Sequence, residues 1–537
     1  MTFDRFYKFS DWNPQVFREL KGRVKKLTVF LTVLGSCATQ LLVLMYFWVG
    51  LPVARSTDRF DTTSRYSTYC TGRGSYRSFE CIYDAIGNPR IAWQSWWSDL
   101  FQALSWTLPF VLLLAGVYML VSDLGKEERR GTLNFIRLSP QTSQNILFGK
   151  VLGVPVIPYL AVLLAIPLHL VVANGAGVSI ANVLSIYLLT AAACAFFYSG
   201  ALLYAFMSGA QGWVGAVAVF SSYTLFFQIW TNSSYYRGEG DRRYLEMSDW
   251  FHLPVGTQLG FAITFALITL GTGAYWLWQS ANRRFRNPDV TLLSKRQSYW
   301  MTFCVEVWML GFAFRQLPEY YRPFNELIVL GFFNLLWFMV LIAALTPQRQ
   351  LLLDWARYRR ERVASKRQFW SRSIVKDLLW GEKSPALAAI ALNLLIAVAV
   401  ASLWIVGWAE ANSQFDALVV MSLGATLTLI CAAIAQLMMF MKSPKRALWA
   451  AGAVAAVLIL PPVVLGALQI TTDKTPFVWL FSIGAFSALQ SGVSATAALT
   501  ALMGQLGILS LLTLRLTRQV RRAGESEMKA LLAASRS

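Results

Sequence analysis

Glu127, Glu128, Arg129 and Arg130 stand in a row in an otherwise apolar chain, and Gly131, Thr132 and Leu133 follow them. Such a set recognises a partner and breaks no bonds. An acidic pair beside a basic pair can meet complementary charge, each exposed pair contributing about 0.2–1 kcal/mol. Leu133, Phe135, Ile136 and Leu138 give the segment an apolar side to rest on its own bundle, and Leu133 and Ile136, three apart, share a helical face. Gly131 allows a tight backbone passage into it. Glu306 is the only acid well inside an apolar run. Ionisable groups at such depth hold cations or protons. Glu306, however, lies about five residues, roughly 7 Å, into its run, and reads as a group at the inner interface. Cys70 and Cys81, in CTGRGSYRSFEC, lie in a polar loop where a disulfide can form if the loop is outside the cytoplasm; the other reading is two free thiols.

The missing motifs narrow the function as well. No G-x-x-x-x-G-K-[ST] exists, since Gly125-Lys126 is followed by Glu127 and Gly149-Lys150 by Val151, so no such loop cradles a triphosphate. H-E-x-x-H, metal-site Cys/His spacing and G-x-S-x-G are all missing. The two histidines, His169 and His252, are far apart in sequence, and His169 reads as structural. No catalytic residue, no metal set and no cofactor bound by this chain are expected.

These residues must be positioned by membrane helices. The chain is 56% hydrophobic and 14% charged, more apolar than a soluble fold of this length can hide. Runs of 18 or more apolar residues cross about 30 Å of hydrocarbon. Twelve are expected, at 27–51, 100–122, 151–173, 178–206, 212–231, 257–279, 299–315, 325–345, 385–408, 417–440, 447–469 and 494–514. The fold class is thus an all-α polytopic membrane protein. The lengths of the spans and loops repeat once. A first six-span half covers 1–280, a basic linker 281–298, a second six-span half 299–514 and a basic tail 515–537. Phe477–Val493 is apolar but short and reads as a re-entrant or interfacial piece, with 248–256 in the same slot of the first half.

With the N-terminus inside, the inner segments hold three-quarters of the 48 basic residues, as the positive-inside rule requires. The net charge of +20 is therefore a topology signal and not a nucleic-acid surface. The first residues read as an amphipathic helix on the inner face, with Asn13 as N-cap, Pro14 at the first helical position, and Val16, Leu20, Val24 and Leu27 recurring at helical spacing.

Taken together, the string E-E-R-R-G-T-L at 127–133, then L-S-P at 138–140 and G-K at 149–150, resembles the loop between the second and third spans of type-2 ABC transporter permeases. N-P-x-x-x-R-E-L at 13–20 resembles the opening of that family. The likeness is specific over about 10–280 and weak beyond. It implies that Glu127 to Leu133 form a coupling helix docking on a separate ABC ATPase subunit, which holds ATP and Mg. It also implies an export pathway in the bacterial inner membrane. In the second half the counterpart is Glu382-Lys383 with Ser384-Pro385 as a helix start, without the G-T-L core. The second half supplies the other side of the pathway, or the chain pairs with a second permease copy. The rivals are an ion-driven secondary transporter served by Glu306 and a non-transport scaffold.

The orientation has a direct check. A cysteine at Ser365 should stay unlabelled by a membrane-impermeant reagent in intact cells and react once the membrane is permeabilised. Labelling in intact cells would reverse the topology.

Overall fold

A computed structural model describes residues 12–53, 66–75, 78–85, 87–206, 211–235, 249–256, 258–314, 323–363, 372–408, 411–443, 445–490 and 493–523. The link around Ser208, most of the stretch 232–256 and residues 364–371, with Ser365, lie outside the described residues, as does the end of the basic tail. The chain divides into two compact units, Met1–Tyr244 with Leu259–Arg286, and Leu245–Gln258 with Asn287–Ser537. Ten helices among the described residues are long and apolar enough to cross a membrane. The protein is a helical, multi-pass membrane protein.

The first unit begins with α1 (Pro14–Arg23), capped by the Asn13 side chain, which accepts from the N–H of Gln15 and Val16. After it come α2 (Lys26–Val49), α3 (Trp93–Arg129), α4 (Thr132–Arg137), α5 (Ser143–Gly153), α6 (Val156–Gly175), α7 (Ile180–Ala205), α8 (Gly212–Tyr235) and α9 (Leu259–Arg286). The 37 residues of α3 run about 55 Å at 1.5 Å per residue, more than a bilayer core needs. Its apolar middle packs against α6, α7 and α8. Its last turns carry Asp123, Glu127, Glu128 and Arg129 beyond the expected span. These charges therefore belong to the end of a long helix, and only Thr132 onward forms the separate short helix. Between α2 and α3 a small sheet, β1 (Tyr66–Ser67), β2 (Gly74–Ser75) and β3 (Ser78–Glu80), is ordered β1-β3-β2, all antiparallel. Cys70 and Cys81 are bonded to one another beside it, their Cα atoms 4.8 Å apart. His169 is 1% exposed and satisfied: Nε2 is 3.0 Å from Ser105 Oγ, Nδ1 is 2.7 Å from Tyr187 Oη, and the ring stacks on Phe101.

The second unit holds α10 (Lys295–Ala313), α11 (Pro323–Leu345), α12 (Arg349–Val363), α13 (Arg372–Trp380), α14 (Leu387–Ile405), α15 (Ala411–Met439), α16 (Arg446–Ala467), α17 (Pro476–Trp479), α18 (Ala485–Gln490) and α19 (Ala495–Ala523). Its centre is α15, packed by α11, α14, α16 and α19. The apolar stretch 477–493 forms two short helices, with Leu480, Ala488 and Leu489 buried.

Helices form over 212–231 and 299–315 as α8 and α10, outside the ten that qualify by length and apolarity among the described residues. The linker 281–298 is largely helical: α9 continues to Arg286 and α10 starts at Lys295. Residues 249–256, placed in the first half by loop length, pack in the second unit, where Trp250 Nε1 donates to Trp308 O and the Phe251 N–H to Gly311 O, both at 3.0 Å.

The cystine closes the loop that carries the small sheet. Cys81→Ser should lower stability by about 2–4 kcal/mol. Differential scanning of the purified protein checks the loss, and peptide mapping without reductant should recover the 70–81 link from wild type. Two free thiols in protein kept from reductants would overturn the pairing.

Candidate functional site

The site grows from the charges predicted to dock a partner. Lys150, near the end of α5, is 1% exposed, and its Nζ lies 2.7 Å from each of three carboxylate oxygens: Glu19 Oε1 on α1, and Asp123 Oδ2 and Glu127 Oε1 on α3. Arg18 bonds Glu127 at 2.9 Å and Glu19 at 3.3 Å; Arg23 bonds Glu19 at 3.3 Å and also pairs with Asp123. Three acids and three bases thus close a neutral network. Oxygens of Glu19, Asp123 and Glu127 come within 4.8 Å of one another, a spacing that could hold a metal ion. The ammonium of Lys150 takes that place.

Local sequence makes this geometry reachable. A Cβ on Gly149 would meet Gln15 Cβ at 2.7 Å, and one on Gly153 would meet Glu19 Cβ at 2.5 Å. The two glycines, four apart on one face of α5, let α1 lie directly on it. Asn13 Nδ2 donates to Asn145 O at 2.8 Å and fixes the register. The N-terminal helix is therefore held by its polar residues, Gln15 and Glu19, packed inward against α5. At the other end of α5, Ser143 Oγ donates to Asn282 Oδ1 at 2.6 Å and accepts from Arg286 Nε at 2.7 Å. Thus α1, α3, α5 and α9 meet at one hub.

The predicted coupling residues divide at this hub. Glu127 is turned inward and engaged, so it is not a free docking charge. Glu128, Arg129, Arg130, Gly131 and Thr132 are exposed. Gly131 has φ +71°, the left-handed region that suits glycine, and it separates α3 from α4. On α4, Leu133 and Ile136 are buried in the main core of the unit. Phe135 and Leu138, expected to rest on the bundle, are instead 78% and 83% exposed. At 100° per residue Phe135 lies about 200° from Leu133, on the opposite side of the helix.

In the second unit Glu382 and Lys383 are exposed, while Ser384 and Pro385 are buried. Ser384 does not start a helix. Its Oγ donates within the preceding turn, to Gly381 O at 2.9 Å. The cap of α14 comes from Gln436, whose amide, oriented to satisfy both partners, accepts from the N–H of Ala386 (3.2 Å) and Leu387 (2.8 Å). Lys295 Nζ donates to Leu378 O and Ser384 Oγ at 2.6 Å and to Pro385 O at 3.0 Å. Burial pushes its pKa down to about 8, against the pull of Asp377. Glu306 is 3% exposed. It accepts from Asn334 Nδ2 at 3.0 Å.

Sequence reasoning missed Glu19, Asp123 and the role of Lys150. The available signal was the G-K-V-L-G spacing at 149–153, which marks a close helix contact next to a lysine.

Electrostatics sets the working range of the hub. Burial alone would raise the Glu19 carboxyl, but Lys150, Arg23 and Arg18 outweigh it and hold it below the ordinary 4.5. Burial alone would lower Lys150, but Asp123, Glu19 and Glu127 outweigh it and hold it above 10.5. The Glu19 contribution is full above its unfolded value and is lost as pH falls through the folded one. That of Lys150 is full below its unfolded value and is lost as pH rises through the folded one. The Glu19 and Lys150 contributions should be flat between those limits and fall at either end, while Glu127, whose carboxyl burial holds above the ordinary 4.5, costs stability as pH rises from its unfolded to its folded value. Lys150→Met leaves three carboxylates facing one another, and removing one partner of a buried ion pair costs about 3–5 kcal/mol. Partial hydration of the acids places the loss at the lower end. Thermal unfolding of the purified variant measures it, and Lys150→Met with wild-type stability would show that the network contributes nothing.

The chain matches no protein-family model, no curated protein and no solved structure.

Proposed function

We propose that the chain is the membrane-spanning permease subunit of an ATP-driven transporter of the type-2 ABC kind. In this reading it is an exporter in a bacterial inner membrane, with twelve spans and cytoplasmic termini. ATP and Mg are bound by a separate ATPase subunit, and this chain forms the pathway and receives the stroke. The second unit forms the other side of the pathway, or the chain pairs with a second copy.

The observation that carries the reading is α4. Two large apolar side chains, Phe135 and Leu138, are held outward on a six-residue helix, with Glu128, Arg129 and Arg130 exposed beside them. An apolar knob ringed by charge suits insertion into a cleft of a soluble partner, the knob giving affinity and the charge orientation. The inward face of α4, Leu133 and Ile136, sits in the core with Leu120, Leu124 and Leu147. A push on the knob is therefore a push on α3 and α5 together, and the Lys150 network prevents one from sliding past the other. Since α3 is continuous from this hub through its apolar middle, displacement at the cytoplasmic end is carried into the membrane.

Phe135→Asp with Leu138→Asp should leave the fold intact, since both side chains are exposed, and should abolish co-purification with the ATPase and ATP-dependent transport. Reversing Glu128, Arg129 and Arg130 while sparing Glu127 should weaken the association less, within the sum of a few exposed pairs of about 0.2–1 kcal/mol each. Normal transport by the Phe135/Leu138 variant would reduce α4 to an ordinary solvated turn.

A further inference from the structure

Within the second unit, Glu306 and Asn334 border a cavity of about 260 Å³. Its walls are otherwise almost wholly apolar, among them Leu310, Phe338, Leu394, Ala401, Gly424 and Phe486. Glu306 Oε2 accepts from Asn334 Nδ2 at 3.0 Å. Glu306 Oε1 and Asn334 Oδ1, both shut off from solvent, have no hydrogen-bond partner among the described residues. A buried acceptor left unpaired is expensive, and a carboxylate oxygen more so. Both side chains line the cavity, so a side-chain turn brings the two oxygens to a donor seated in it.

We propose that this cavity is a binding site for an amphiphile with a primary ammonium head and an alkyl body. The ammonium brings three donors and a positive charge, and so can satisfy both oxygens and neutralise Glu306. A hydroxyl brings one donor and leaves the charge. An anionic head is repelled by Glu306. A metal ion such as calcium needs six to eight oxygens, and beyond Glu306 and Asn334 the lining hydroxyls of Thr428 and Ser482 are already engaged with Gly424 O and with Trp479 O and the Gly484 N–H. The body is set by the walls, whose hydrocarbon lining takes an alkyl chain. The site stands apart from the ATPase-docking reading, since every residue in it belongs to the second unit. The ammonium can come from a free hydrophobic amine or from the headgroup of an ethanolamine lipid.

The test uses the full-length protein in phosphatidylglycerol nanodiscs, with octylamine carrying a diazirine on its chain as the photo-probe. Peptide mass spectrometry should place label in 327–338 and 482–487, displaced by octylamine and not by octanoate. Glu306→Gln should reduce that label about tenfold or more, the loss of one charged hydrogen bond. Ala401→Leu, which fills the cavity and leaves the acid in place, should reduce it as well, and thermal unfolding confirms that each variant is folded. Should Glu306→Gln fail to fold, Ala401→Leu carries the test. Nanodiscs of phosphatidylethanolamine separate the sources: competition by that lipid assigns the headgroup, and undiminished label assigns a free amine. Equal labelling of a folded Glu306→Gln, equal displacement by octanoate, or label in these segments no stronger than on the lipid-facing α2 would overturn the proposal.

Discussion

A single ammonium group under three carboxylates organises the first unit. The three protons of Lys150 Nζ match three acceptors, each 2.7 Å away. The compact tetrahedral head of lysine fits such a pocket, whereas the planar fork of arginine does not. Carboxylates so close repel one another, and only the buried cation makes their approach favourable. The glycine contact between α1 and α5, the inward turn of Glu127 and the outward pose of α4 all follow from that approach.

The second unit solves a related problem by other means. Lys295 is also buried, but its partners are two carbonyls and a hydroxyl. One of them, Leu378 O, lies in the last turn of α13, where helical carbonyls lack partners of their own. Tyr299 Oη takes the next, Leu379 O, at 2.6 Å. Lys295 thus completes a helix end, while Lys150 completes a charge set. The difference accounts for the opposite directions in which burial and partners leave the two ammonium groups. It also separates the two regions chemically, in keeping with the lack of a G-T-L core at 382–385.

What the sequence disclosed followed range. Membrane helices were legible because hydropathy acts within one segment, and Asn13-Pro14 because a cap needs only its next few residues. Eleven positions and a polar loop were enough to raise a Cys70–Cys81 pair. The hub was not legible in this way: Glu19 reaches Lys150 across 131 positions, and no local period encodes such a pairing. Ser384 failed as a helix start for the same reason. Its hydroxyl was drawn into the preceding turn, and Gln436, from another helix, caps α14 in its place. Phe135 is a different kind of miss. Helical geometry applied to Leu133 and Ile136 already puts Phe135 on the far face, so the outward knob was present in the spacing and was overridden by hydrophobicity.

The long reach of the Glu19–Lys150 contact also has a meaning in time. Ribosomes add about 5–20 residues per second, so α1 is made on the order of ten seconds before its cation. Throughout that interval Glu19 has Gln15, Arg18 and Arg23 of its own helix as company, and α1 has no glycine face to lie on. The N-terminal helix must therefore wait, unanchored, while α2 and α3 are inserted, and it locks when α5 leaves the exit tunnel. Assembly of the first unit is ordered by synthesis: α1 finds its place only after α2, α3 and α5 have been made.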